Sequence, residues 1–336
     1  MSFKTFDNED IVVSADAISS TVWSTGNYNL ATFFTSSTQD SSTSGDYFLN
    51  IFQTGSTLTN AAVQFSIAYG HKDGLGATAY NANVAGKSPS STVFGQYRSL
   101  ILGDEESDFT FGGITSAKGI YAITLDRARY KEKLLPGTFN LTLFSGSIAR
   151  HLTDNSGMAT TITYTDAGRV YEIISGSNGV SHDGGTGHAA NNVGSYGKFL
   201  PDIGVMILNA AAINSEHGNN VLFKTGSSDT NGDNNAFLFN LIDGGNSFKL
   251  NAEETVSSNY VFVRVRNSEF NYSNNPSNIS GSGELRHNSM VNNPQAYITT
   301  VGLYNDTNDL LGVAKLSKPL LKDFTKEALV RIKLDY

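Results

Sequence analysis

The chain has 336 residues, no cysteine, a formal charge of −8 and only 16% charged side chains. The absence of cysteine excludes disulfide frameworks, thiol nucleophiles and cysteine zinc sites. The acidic balance excludes nucleic acid as the main partner, because phosphate backbones are held by clustered Lys and Arg.

The length suffices for a substantial core without a metal or disulfide staple. Gly, Ser, Thr and Asn separate short apolar runs, so the expected fold is mainly β, of β-sandwich type, with long polar loops and little helix. The opening MSFKTFDNEDIVV has no basic leader, and no apolar run approaches the roughly 20 residues that span a bilayer, so neither export nor membrane insertion is expected.

Residues 1–150 read as an N-terminal β domain. Its strand candidates are 47–52, 62–69, 119–125 and 138–144, the last following the Pro136-Gly137 turn signal. Between them, 72–91 is rich in Gly, Ala, Asn and Ser and reads as an exposed loop that orders against a neighbour. Residues 151–336 read as a second β domain. It opens with the hairpin 160–165 and 169–175 around Asp166-Ala167-Gly168, followed by a linker or surface loop over 175–195.

Residues 205–213 are the best helix candidate, with a buried strand over 205–208 as the alternative. Apolar residues at 235–250 surround a turn at 243–246. The strand 259–266 sets Tyr260, Phe262, Arg264 and Arg266 against Val261, Val263 and Val265. A second polar loop, 273–293, leads into a hairpin and a last strand. There Ala328, Val330, Ile332, Leu334 and Tyr336 alternate with Arg331, Lys333 and Asp335, the period of a half-buried strand.

Four constellations invite chemistry. Ser181-His182-Asp183 with His188 has the residue types of a nucleophile and base, but lies in the most glycine-rich stretch, whereas catalysis needs preorganised groups; the two histidines also lack further zinc ligands nearby. Asp229, Asn231 and Asp233 resemble the start of a calcium loop, which then fails at Asn234 and Asn240, where Gly and a bidentate Glu are required. Asp104, Glu105, Glu106 and Asp108 offer paired carboxylates, more simply read as a solvated run. Arg127, Arg129, Lys131 and Lys133 would line one face if the strand from Gly119 continued, and are interface candidates for an acidic partner; a helical turn would scatter them. No phosphate-binding signature occurs, and no catalytic residue, metal or cofactor is assigned.

The ending, with Asn293, Pro294, YITTVGLYN at 297–305, LLGVAKLSKPL at 310–320 and ALVRIKLDY at 328–336, resembles that of a family of virion structural proteins of marine, cyanophage-type myoviruses. FKTFDNEDIVVSADAISSTVWSTGNYNLATFFTSS near the start, YAITLDRARYKEKLLPGTFNLTL in the middle and YGKFLPDIGVMILNAAAI at 196–213 are similar to the same family, so the resemblance runs along most of the chain.

The resemblance implies a non-enzymatic subunit of a contractile tail, in the baseplate wedge or its periphery. It would be made in the host bacterial cytoplasm and built into the virion beside other tail and baseplate subunits. The expected arrangement is a symmetric ring, homo-oligomeric contacts included, with neither nucleic acid nor membrane as partner. A receptor-binding tail fibre or adhesin module and a head decoration protein are the alternatives. A polysaccharide-degrading enzyme would require the 104–108 carboxylates to line a cleft.

Overall fold

The structure is a computed structural model and describes residues 3–35, 48–77, 88–189, 192–217, 232–273 and 275–335. The chain is mainly β and divides into two compact units, one of residues 18–254 and one of residues 1–17 with 255–336. The division read at residue 150 is thereby corrected. Strand Ile148–Asp154 pairs with Asn140–Ser145 on one side and Gly168–Ser177 on the other, so position 150 lies inside a continuous hydrogen-bonded sheet.

That sheet has 13 strands, and every pairing in it is antiparallel. Its middle runs Gly168–Ser177, Gly197–Leu200, Val205–Asn209, Gly119–Leu125, Val63–His71 and Phe48–Phe52. Side chains alternate between two buried clusters, as the two-residue period of a strand demands. Tyr121, Ile123 and Leu125 enter the larger cluster while Ile120 and Ala122 enter the smaller; Met206 and Leu208 likewise oppose Val205 and Ile207.

The sheet curls. Phe65 and Phe248, on strands with six others between them in sheet order, have ring centroids 5.3 Å apart, and Trp23 lies 4.9 Å from Phe248. Facing limbs of one sheet thus enclose the larger cluster, and helix Gly232–Gly245 adds Phe237, Leu238, Leu241 and Ile242 to it.

The smaller cluster is covered by helix Pro89–Leu102 and the hairpin Phe109–Phe111 with Ile114–Ala117. This helix was not expected from sequence, although its punctuation is present: Ser88 at the N-cap, Pro89 in the first turn, a Ser88/Ser91 capping box, and Gly103 closing it at φ 73°. Gly70 lets it approach the sheet, since a Cβ there would meet the Phe94 backbone nitrogen at 2.8 Å.

Segments read as loops are tied down. At the edges of 72–91, Ser88 Oγ donates to the Gly74 carbonyl at 2.7 Å and Ser90 Oγ to that of Leu75 at 2.9 Å; residues 78–87 lie outside the described residues. The stretch 175–195 is no linker. It folds back on its own strand, with Ser175 N donating to Gly187 O at 2.7 Å, and Val180–Ser181 pairing with 176–177. Both readings of 205–213 hold in part, because strand Val205–Asn209 passes directly into helix Ala210–His217. Asn209 makes the switch, its Oδ1 accepting from Ala211 N at 3.1 Å. The turn expected at 243–246 is corrected: Asp243, Gly244 and Gly245 end helix Gly232–Gly245, and only Asn246, at φ 50°, turns the chain into strand Phe248–Lys249.

In the unit of residues 1–17 and 255–336, the last half of strand Asn251–Val265 pairs with Ala328–Asp335 in unbroken register from Ser258↔Asp335 to Val265↔Ala328. Strand Ile11–Thr21 is its other neighbour. Strands Ala296–Tyr304 and Leu310–Lys322 form a separate two-stranded sheet. Its turn is pinned by Asp309 N donating to Asn305 Oδ1 at 2.7 Å and Thr307 Oγ1 to Asp309 Oδ2 at 2.6 Å.

Candidate interaction surface

The basic segment departs from the expected row. Its strand ends at Leu125, Asp126 Oδ1 accepts from Ala128 N at 2.8 Å, and Arg127–Arg129 form a 3-10 turn. A short acid that caps the following backbone offers a local alternative to continuing the ladder, and the two-residue period is lost there. Arg127 folds over the Tyr130 ring at 4.5 Å and donates to the carbonyls of Tyr130 and Lys131 at 2.9 and 2.6 Å. Lys131 pairs with Glu254 at 2.9 Å and Lys133 approaches Glu253 at 3.9 Å. Arg129 Nε is buried with no hydrogen-bond partner among the described residues. Three of the four cations therefore serve the unit's own structure, and the single-face row is corrected.

The other constellations are equally local. Ser181 Oγ donates to Gly185 O at 2.7 Å, and Asp183 accepts from Gly185 N at 3.0 Å; both close turns in the loop. His182 meets His151 edge to face, centroids 5.9 Å apart, and the His188 ring occupies the space a side chain at Gly112 would fill. Asp104 caps the turn after helix Pro89–Leu102. Ser107, through its side chain first and its backbone N–H, and then the backbone of Glu106, hold the Asp104 carboxyl below its usual range. Glu105 and Glu106 face water, and Asp108 pairs with Lys72 at 2.5 Å. Asp229 and Asn231 lie outside the described residues, and Asp233 falls in the first turn of helix Gly232–Gly245. Among the described residues no three His, Asp or Glu side chains gather as a metal site, and no helix is long and apolar enough to cross a membrane.

Long-range contacts produce clusters with no sequence signal. Glu172 accepts from Lys198 Nζ at 2.8 Å, from Gly112 N at 3.3 Å and from the hydroxyl of the fully buried Ser195, tying two strands and a hairpin together. The equally buried Asp154 carboxylate accepts from Gly137 N at 2.8 and 3.0 Å and from Ser156 N at 3.0 Å, and burial raises its pKa. A polar groove of about 400 Å³ includes Asn140, Thr142 and His151, but Asn140 is engaged by Asn178 and His151 by Thr142 Oγ1 at 3.1 Å.

The unit of residues 1–17 and 255–336 presents a different surface. Its only buried apolar side chains among the described residues are Val261, Val265 and Ile332. The paired strands instead leave large apolar groups in solvent, with Leu311 71%, Tyr297 65% and Leu329 61% exposed, joined by Leu310, Val313 and, near the start of the chain, Val12 and Val13. Lys322 is fully buried there, donating to Asn267 O, Asn271 Oδ1 and Asp323 O at 2.9, 2.6 and 2.8 Å. Soluble proteins usually keep exposed apolar surface small, so these side chains make the paired strands the candidate interaction surface. No family model, curated protein or solved structure matches the chain.

Proposed function

We propose that this protein is a structural subunit of a contractile-tailed bacteriophage virion, placed in the baseplate wedge or its periphery and acting through protein–protein contacts. The observation that carries the reading is the sparse core of the unit of residues 1–17 and 255–336, whose strands expose Tyr297, Leu310, Leu311, Val313 and Leu329. A sheet that buries so little of its apolar surface alone gains its stability when neighbours cover it. The stretch that resembles the myovirus proteins, 293–336, supplies these residues.

In this reading the helix-covered curled sheet of residues 18–254 is a rigid body, and the strands around it in sequence are the adhesive element that repeats its contact around a closed ring. The test is quantitative mass spectrometry of gradient-purified virus particles, normalised to the tail-sheath protein. A copy number matching one or two rings supports the baseplate placement. Capsid-like abundance reassigns the chain to head decoration, and absence from particles overturns the virion reading.

A further inference from the structure

The hairpin of residues 296–322 has two unlike edges. Strand Leu310–Lys322 is guarded: it carries Lys315, Lys318 and Pro319, and both irregularities in the pairing place their extra residues on it. Between Ile298↔Leu320 and Thr300↔Lys315 it spends five positions against two, and between Leu303↔Gly312 and Tyr304↔Leu310 two against one. Charge, proline and bulges are the devices that stop an edge from recruiting another strand.

Strand Ala296–Tyr304 has none of them. Its nine residues, AYITTVGLY, contain no charge and no proline, spend fewer positions than the partner strand at both irregularities, and are paired on one side only among the described residues. A two-stranded hairpin alone is marginal in water, and this one has apolar side chains on both faces.

We propose that strand Ala296–Tyr304 pairs antiparallel with the same strand of a second copy of this chain, joining two hairpins into one four-stranded sheet. Self-pairing suits this edge because every antiparallel register of AYITTVGLY on itself is free of like charges; centred on Thr300, it sets Tyr297 across from Leu303 and Ile298 across from Gly302. The pairing is isologous, so it joins two copies and leaves the closing of a ring to other contacts; it rests on the subunit reading above, but the two fail separately. A chain that is monomeric in solution yet present in particles overturns the pairing alone.

The experiment is sedimentation equilibrium of the purified full chain over a concentration series, with Thr300→Glu and single cysteines at Thr299, Thr300 and Val301. Thr300 sits opposite Lys315 in its own hairpin, so Glu there suits the monomer while placing two like charges together at the twofold. The expected result is a wild-type dimer, association weakened roughly tenfold or more by Thr300→Glu, and an unchanged melting curve. Because the native chain has no cysteine, a disulfide-linked dimer from a cysteine variant joins the introduced residues, and one lost on adding Thr300→Glu reports this contact. A wild-type chain that stays monomeric overturns the proposal. So does a dimer that Thr300→Glu leaves intact, or a failure of all three cysteine variants to cross-link.

Discussion

Strands Gly119–Leu125 and Ala296–Tyr304 are both apolar, β-branched and aromatic, yet they meet opposite fates. In the first, Ile120, Tyr121 and Ile123 are wholly buried because the curled sheet and its covering helix supply partners on both faces. In the second, Tyr297 and Tyr304 face solvent and no residue is fully buried. The difference teaches that one unit buries its apolar strands in its own core while the other leaves much of its apolar surface in solvent. Sequence pattern cannot distinguish the two, because hydrophobic pattern specifies which face is buried and not what buries it.

The largest effect that would sharpen this contrast is truncation after Glu327, which removes strand Ala328–Asp335 and leaves Val261 and Val263 without Ile332 and Val330 across from them. The folding of residues 255–327 should be lost while residues 18–254 stay folded. Hydrogen exchange resolved by peptide distinguishes this from a global collapse, and retained protection over 258–265 would break the comparison. Next, Phe65→Ala opens a cavity among Trp23, Phe33 and Phe248 and should cost about 3–5 kcal/mol in denaturant unfolding of the larger unit.

Asp154→Asn should cost about 1–3 kcal/mol, since one carboxylate acceptor is exchanged for an amide donor facing the Gly137 N–H. Its pH signature is distinctive. Burial is the largest influence on the carboxyl and raises its pKa, so the native state binds its proton more readily than the unfolded chain. With more protons bound in the native state, this group's contribution to stability falls as pH rises from the ordinary carboxylate range through the raised native value, and levels off above it. The Asn variant should lack that slope in melting curves recorded across the acid range.

In the smaller unit, Lys322→Met keeps the length but orphans the acceptors of Asn267, Asn271 and Asp323. It should cost about 1–3 kcal/mol, visible as faster exchange over 267–273. The smallest effect is expected at Lys131→Ala. This lysine is 80% exposed beside Glu254, and its loss should change stability by less than about 0.5 kcal/mol.

Much of the β content was legible because strands announce themselves locally. Residues 119–125 read as a strand and are one; the strand at 62–69 is shifted by one or two residues; the 259–266 pattern separates Val261 and Val265 from Arg264 and Arg266 as its period required. The final strand followed from the same alternation, and the hairpin expected before it is formed by strands Ala296–Tyr304 and Leu310–Lys322. Helix Pro89–Leu102 was missed through its β-branched and Gly content, although its caps were readable. The row of cations failed because a side chain-to-backbone bond from Asp126 outcompeted the strand it followed.

What the sequence determined by itself is local: the period of each strand, the turns, the exclusion of cysteine chemistry and the mainly β class, all set by neighbours within a few positions. The tertiary structure alone decided that residues 140–154 belong to one sheet with 197–209, that Glu172 binds three groups and Asp154 two, and that the chain's two ends share one unit. These depend on residues brought together by chain closure, whose entropy cost is repaid by long-range burial that no local window contains.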